Sequence, residues 1–125
     1  MPDMTEEKKI IIFDDDEDIL AICSYILEEK GWQVYAFPDC SDIIQKVSEI
    51  KPTVILMDNW IPEEGGIVAT RQLKNTDKLR EIPVIYFSAN SDIEALREQA
   101  GADASLAKPF DLQDLERIIF ETVSK

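Results

Sequence analysis

Ile10-Ile11-Ile12-Phe13-Asp14-Asp15 is the stretch on which the rest of the chain turns. Four consecutive β-branched or aromatic residues, without polar alternation, form the pattern of a strand buried on both faces. A strand of that kind belongs in a parallel sheet with helices packed on each side. The run then stops at two carboxylates, so the end of this strand is acidic. Val54-Ile55-Leu56-Met57 and Val84-Ile85-Tyr86-Phe87, the latter opened by Pro83, repeat the continuous apolar pattern. Gln33 to Phe37 adds an alternating strand, and Ala104 to Ala107 a short, weak one.

Helical spacing fills the intervals. From Asp18 to Lys30, Ile19, Ile22, Ile26 and Leu27 recur on one side, and Gly31 supplies a stop. Ser41 to Ile50 carries Ile43, Ile44 and Val47 and ends before Pro52. A turn-rich Pro62-Glu63-Glu64-Gly65-Gly66 leads into a helix from Ile67 to Asn75. Ser91-Asp92-Ile93-Glu94 has the capping-box form and starts a helix running to Ala100, with Gly101 beyond it. Asp111 to Ser124 closes the chain with Leu112, Leu115 and Ile119 on one side. Strand and helix thus alternate five times. Parallel strands need right-handed crossovers, which predicts an α/β three-layer sandwich, (βα)5. Residues 1–8 are expected to be a flexible tail and residues 9–125 one domain.

Composition narrows the chemistry. A chain of 125 residues, 45% hydrophobic and 31% charged, is long enough for one domain with its own core. No apolar run approaches the roughly 18 residues of a membrane span, and the polar N-terminus does not read as a signal peptide. Cys23 and Cys40 are too few for a disulfide framework and are expected to be small buried thiols, which suits a cytoplasmic setting. A net charge of −13 repels phosphate backbones and anionic lipid, so direct contact with nucleic acid or membrane is not expected. The chain has no histidine, which removes the usual general base and the commonest zinc ligand. Chemistry must come from carboxylates, lysine, hydroxyls or a bound ion.

Four of the five strands run into such groups: Asp14-Asp15, Asp58, Ser88 and Lys108. In an open α/β sheet ligands bind beyond the carboxyl ends of the strands, so these distant residues are delivered to one edge. Three carboxylates gathered there cannot all remain ionised without a cation. Oxygen-only ligands favour a hard ion, Mg²⁺ or Mn²⁺, with positions left for water and phosphate. Lys108 adds a mobile positive charge suited to a phosphoryl oxygen, and Ser88 adds a hydroxyl. Such a set binds a phosphoryl group in transfer, with a carboxylate as nucleophile.

Taken in order, Asp14-Asp15, Asp58-x-x-Ile61-Pro62-x-x-x-Gly66, Ser88-Ala89 and Lys108-Pro109 resemble the receiver domain of bacterial two-component response regulators, over roughly residues 8–124. The resemblance implies a flavodoxin-like parallel sheet of order 2-1-3-4-5. It implies that Asp58 is the phospho-acceptor, that Asp15 ligates Mg²⁺ directly and Asp14 through water, and that the Trp60 backbone carbonyl is a further ligand. Ser88 would bond the new phosphoryl group, Lys108 would pair with one of its oxygens, and small Ala89 would keep the acceptor reachable. The bond before Pro109 is usually cis in this family. The donor would be a phosphohistidine on a histidine kinase or a histidine phosphotransfer protein. The reader would be a downstream effector, or a second copy, at the face of helix four, strand five and helix five. The domain would be a switch that catalyses only its own phosphorylation and dephosphorylation.

Three positions depart from the family pattern. Ser105 stands where Tyr or Phe is frequent on strand five, so the aromatic half of the usual switch, coupled to Ser88, is missing. Trp60 stands where many members carry a small or polar residue, and its indole is expected to hinder the hydrolytic water, with Asn90 as the second residue tuning hydrolysis. Ile61 replaces a frequent Met, a mild apolar exchange.

Other classes fit less well. Asp14, Asp16 and Asp18 alternate as in a calcium loop, but Ile19 and Tyr25 occupy the positions that require Gly and Glu. The acids at 16 to 18 are better placed to cap the following helix. A haloacid-dehalogenase-type phosphatase needs a second Asp where Trp60 stands, and a flavin carrier's phosphate would be repelled by residues 14–18. A pseudo-receiver that never takes phosphate would not need the full set of acceptor, acidic pair, Ser and Lys. The sequence presents no output region, which fits a stand-alone receiver, a phosphorelay shuttle or a receiver cut from a larger regulator or hybrid kinase.

Overall fold

The computed structural model describes residues 8–58, 65–88, 92–108 and 110–123. Over these, strands and helices alternate: β1 Lys9–Phe13, α1 Glu17–Glu29, β2 Gln33–Phe37, α2 Ile43–Ile50, β3 Val54–Asp58, α3 Gly65–Lys74, β4 Val84–Ser88, α4 Ile93–Ala100, β5 Ala104–Ala107 and α5 Leu112–Val123. The five strands form one parallel sheet of order β2-β1-β3-β4-β5. This is the flavodoxin-like order implied by the resemblance. The chain leaves β1 in one direction toward β2 and later returns to its other side as β3. A crevice therefore opens where the carboxyl ends of β1 and β3 meet.

Strand periodicity explains the layers. Ile10 and Ile12 point to one face, where they meet Cys23 and Leu27 of α1 and Leu115 and Ile119 of α5. Ile11 and Phe13 point to the other, against Ile43 and Val47 of α2, Ala69 and Leu73 of α3 and Ala100 of α4. β3 and β4 are buried at all five positions, the result of having a helix layer on both sides. Full burial of one Ile or Leu side chain contributes roughly 1.5–3 kcal/mol, so these central strands hold the sheet edge rigidly.

Local chemistry sets the helix ends. Asp16 caps α1: its carboxylate accepts from the Asp18 and Ile19 backbone N–H groups at 2.9 and 3.4 Å. Glu17 and Asp18 then lie in the first turn, where the helix dipole favours acids. Asp111 plays the same part for α5, accepting from Asp114 N–H at 2.8 Å. α2 begins at Ile43 instead of Ser41. Asp39 holds both the backbone N–H and the hydroxyl of Ser41, at 2.9 and 2.7 Å, and Asp42 is left-handed with φ 53°. α3 begins earlier than expected, at Gly65, whose left-handed φ of 79° is a conformation that glycine adopts without strain. For α4 the helix starts at Ile93. Ser91 of the anticipated capping box lies outside the described residues, and the Glu94 carboxylate accepts instead from Ser105 Oγ and, at 3.3 Å, from Arg97 Nε. Among the described residues no helix is long and apolar enough to cross a membrane.

Candidate functional site

β1 ends one residue before Asp14, β3 ends at Asp58 and β4 at Ser88, so the buried strands deliver these side chains to one edge. Asp14 and Ser88 are fully buried, and Asp58 is 2% exposed. Asp15 is exposed, on the solvent side of the same edge. One carboxylate oxygen from each of Asp14, Asp15 and Asp58 lies within 4.8 Å of the others. Lys108, just past β5, reaches across: its Nζ donates to Asp14 Oδ2 at 2.9 Å and to Asp58 Oδ1 at 3.0 Å. Its backbone N–H donates to the Ser88 carbonyl at 2.9 Å, which fixes where the lysine starts. Asp14 Oδ1 accepts from Asp16 N–H at 2.9 Å, so the Asp14 carboxylate is held from both sides.

Two buried carboxylates share one ammonium, and a third carboxylate stands beside them. Burial pushes the Asp58 carboxyl above its ordinary value. The Lys108 hydrogen bond opposes that shift without reversing it, and the charges of Asp14 and Asp15 reinforce it. Burial alone pulls Lys108 down, yet its hydrogen bonds to Asp14 and Asp58 outweigh this and the ammonium is held above its usual value. Both partners of the Lys108–Asp58 pair are thus raised, because the lysine answers two carboxylates and Asp58 has to share it. The edge carries more negative charge than its lysine offsets. An all-oxygen donor set of this kind fits a hard divalent cation such as Mg²⁺.

Tyr86 and Phe87 were not legible as parts of the site, and for Gly66, a position of the motif, the physical reason was not. Tyr86 is fully buried on β4, and burial followed by the Asp58 charge pushes its hydroxyl to about 12, so it stays protonated. Its spacing two residues before Ser88 was the available signal, since i and i+2 share a strand face. The Lys108 ammonium sits 4.6 Å from the centroid of the Phe87 ring, an aromatic seat that register alone does not announce. Gly66 packs on the strand that carries the acceptor: a Cβ there would fall on the Asp58 carbonyl oxygen and come 3.1 Å from the Tyr86 ring. Cys23, beneath the edge on α1, has its thiol raised to about 11, by burial first and by the Asp14 charge second.

Ser105 is not part of this edge. It pairs in register with Tyr86 on β5, and its hydroxyl donates to Glu94 of α4. Trp60, Ile61, Pro62, Ala89, Asn90 and Pro109 lie outside the described residues, so the expected carbonyl ligand and both hydrolysis-tuning positions fall there.

Fold and edge together define a class: doubly wound α/β domains with a carboxylate pocket at the switch point of the sheet. Within it, the chain belongs to the response regulator receiver domain family, whose sequence profile matches residues 10–120. Receivers of this family are signalling switches of two-component systems. Solved structures agree. The receiver domain of a sensor histidine kinase from Pseudomonas aeruginosa, crystallised with a magnesium ion coordinated in its active-site cleft, is 25% identical, with TM-score 0.87 over 96% of this chain and 100% of that one. The signal receiver domain of a histidine kinase from Syntrophus aciditrophicus is 28% identical, with TM-score 0.85 over 94% of this chain and 90% of that one. A response regulator from Chloroflexus aurantiacus, 22% identical, shares the fold with TM-score 0.89 over 96% of this chain and all of that one.

Proposed function

We propose that Asp58 accepts a phosphoryl group from a phosphohistidine, on a histidine kinase or a histidine phosphotransfer protein, in a Mg²⁺-dependent reaction. The observation that carries this reading is the convergence of the Asp14, Asp15 and Asp58 carboxylates within 4.8 Å, with Lys108 bridging two of them. In the transfer an Asp58 oxygen forms the new O–P bond as the N–P bond to the donor imidazole breaks, and the imidazole takes up a proton. Water later cleaves the acyl phosphate, which returns the carboxylate and releases inorganic phosphate. Asp14, Asp15 and Asp58, with the Trp60 carbonyl, would hold the ion, which when bound supplies positive charge to the phosphoryl oxygens.

The chain's own residues do the rest. Asp14, fixed by Asp16 N–H, sets the position of the pocket. Lys108 exchanges its bond to Asp58 for one to a phosphoryl oxygen, remaining charged throughout. Ser88, with small Ala89 beside it, donates to the phosphoryl group, and Trp60 and Asn90 govern access of the hydrolytic water. The phosphate adds roughly 1.5–2 negative charges, and the response is a population shift at the face of α4, β5 and α5, which a downstream effector or a second copy reads. With Ser105 in place of an aromatic ring, the coupling to that face runs through the α4–β5 contact instead. The receiver unit runs from residue 9 to the end of the chain, works in the cytoplasm and performs no turnover beyond its own phosphorylation and dephosphorylation. The two neighbours at 25% and 28% identity are receivers of histidine kinases, which favours a place in a phosphorelay.

The test is intact mass after incubation with acetyl phosphate. One phosphoryl adduct in wild type with Mg²⁺, lost with chelator and lost in Asp58→Asn, is expected. No adduct from either acetyl phosphate or a phosphohistidine donor would leave the phosphate-independent reading.

A further inference from the structure

An open groove of about 760 Å³ lies between α1 and α5, at the opposite end of the sheet from the carboxylates. Lys8 and Thr53, which precede β1 and β3, border it and fix that location. Leu27, Trp32, Ile119 and Val123 make its apolar floor, and Phe120 stands at its rim, 68% exposed. The size falls in the range of roughly 300–1,000 Å³ typical of small-molecule sites.

Charge distinguishes this groove from an ordinary surface furrow. In a chain of net charge −13, three cations, Lys8, Lys30 and Arg117, and a single carboxylate, Glu116, border one apolar cavity. Lys8 Nζ sits 5.4 Å from the Trp32 ring centroid. Lys30 faces Glu116 at 3.3 Å and Arg117 faces Asp114 at 3.1 Å, through side chains that are all more than a third exposed. Exposed pairs of this kind contribute little and yield readily to a better anion. The net charge of the chain repels an anion, whereas in this groove three cations outnumber the one carboxylate around apolar surface.

We propose that this groove binds a small amphipathic anion, an aromatic or aliphatic body carrying one acidic head group. The body lies on Trp32 and against Phe120, and the head is met by Lys30 and Arg117. A second copy is a poor occupant, since it would bring its own charge of −13 to a contact centred on one exposed aromatic ring. Nothing in this inference depends on phosphorylation of the opposite edge.

Two fluorescent probes separate the head group from the body: 8-anilinonaphthalene-1-sulfonate, and N-phenyl-1-naphthylamine, which lacks only the sulfonate. The full chain is expected to bind one sulfonate probe per molecule, at least about tenfold tighter than the neutral one. The double reversal Lys30→Glu with Arg117→Glu, at exposed positions and with an unchanged melting curve, is expected to erase that preference. Phe120→Ala is expected to weaken both probes alike. Equal binding of the two probes, binding of neither, or indifference to the charge reversal would each overturn the proposal. So would a sharp gain in affinity on deleting residues 1–7, which would make the chain's own acidic N-terminal segment the occupant, or self-association through this face in sedimentation.

Discussion

Asp58 and Glu94 are both carboxylates that accept a hydrogen bond from a side chain, and they respond in opposite directions. Asp58 is 2% exposed and has an ammonium at 3.0 Å, yet its carboxyl is raised. Glu94 is 68% exposed on its side chain, and its bonds to Ser105 and then Arg97 lower it. The partner does not decide the sign. Burial costs Asp58 more than a shared lysine returns, whereas Glu94 keeps its water and any bond is a gain. The sheet edge is therefore held in an uncomfortable charge state that a cation can relieve, and the α4–β5 face carries an exposed, replaceable hydrogen bond from Ser105 to Glu94. A switch domain needs both properties, a centre that responds strongly to a ligand and a face that yields easily.

The contrast can be broken most forcefully at Lys108. Lys108→Met keeps the volume but leaves Asp14 and Asp58 without their shared donor, and a loss of about 2–3 kcal/mol in Mg²⁺-free urea unfolding is expected. Added Mg²⁺ should recover part of it. Gly66→Ala comes next. Its Cβ meets backbone at Asp58, so β3 or α3 must move, with a cost of about 2 kcal/mol and a weakened Mg²⁺ response.

Asp58→Asn should act the other way. The folded carboxyl sits above its unfolded value, so the stability it brings is present below the unfolded pKa and is lost as pH rises through the folded one. The amide removes that loss, so the Mg²⁺-free variant is expected to be about 1 kcal/mol more stable than wild type at neutral pH. The two stability curves should converge toward acid pH. Glu94 has the opposite sign: its stability is present above the ordinary carboxylate value and is lost as pH falls through the lowered one. Ser105→Ala, at that exposed contact, should change stability by less than about 0.5 kcal/mol. It should nevertheless alter amide exchange in α4, and an unchanged α4 would remove the α4–β5 contact from the account of coupling.

The two regions also differed in how far the sequence disclosed them. Strands buried on both faces announce themselves as unbroken apolar runs, so β1, β3 and β4 were bounded to within a residue, and the groups at their ends could be assigned to one edge. The bridge from Lys108 to Asp14 spans 94 positions, and only the fold shows that the lysine answers two carboxylates. The start of α2 was misplaced because the side chain of Asp39 captures Ser41, a local bond that competes with the helix. The capping motif at Ser91 drew Glu94 toward the helix start, whereas tertiary contact turns it to β5. Gly66 stood in the motif that carries the resemblance, but its residue type read only as turn punctuation. Its role is close approach to the backbone of the acceptor strand, a reason that requires the third dimension.

The account rests on Asp58 being the residue that carries the phosphoryl group. Borohydride reduces an acyl phosphate to an alcohol, which marks the phosphorylated aspartate as homoserine in a peptide sequence. After treatment with a phosphohistidine donor and Mg²⁺, homoserine is expected at position 58 and nowhere else. Homoserine at Asp14 or Asp15, or unmodified aspartate at all three while the donor loses its phosphate, would contradict it.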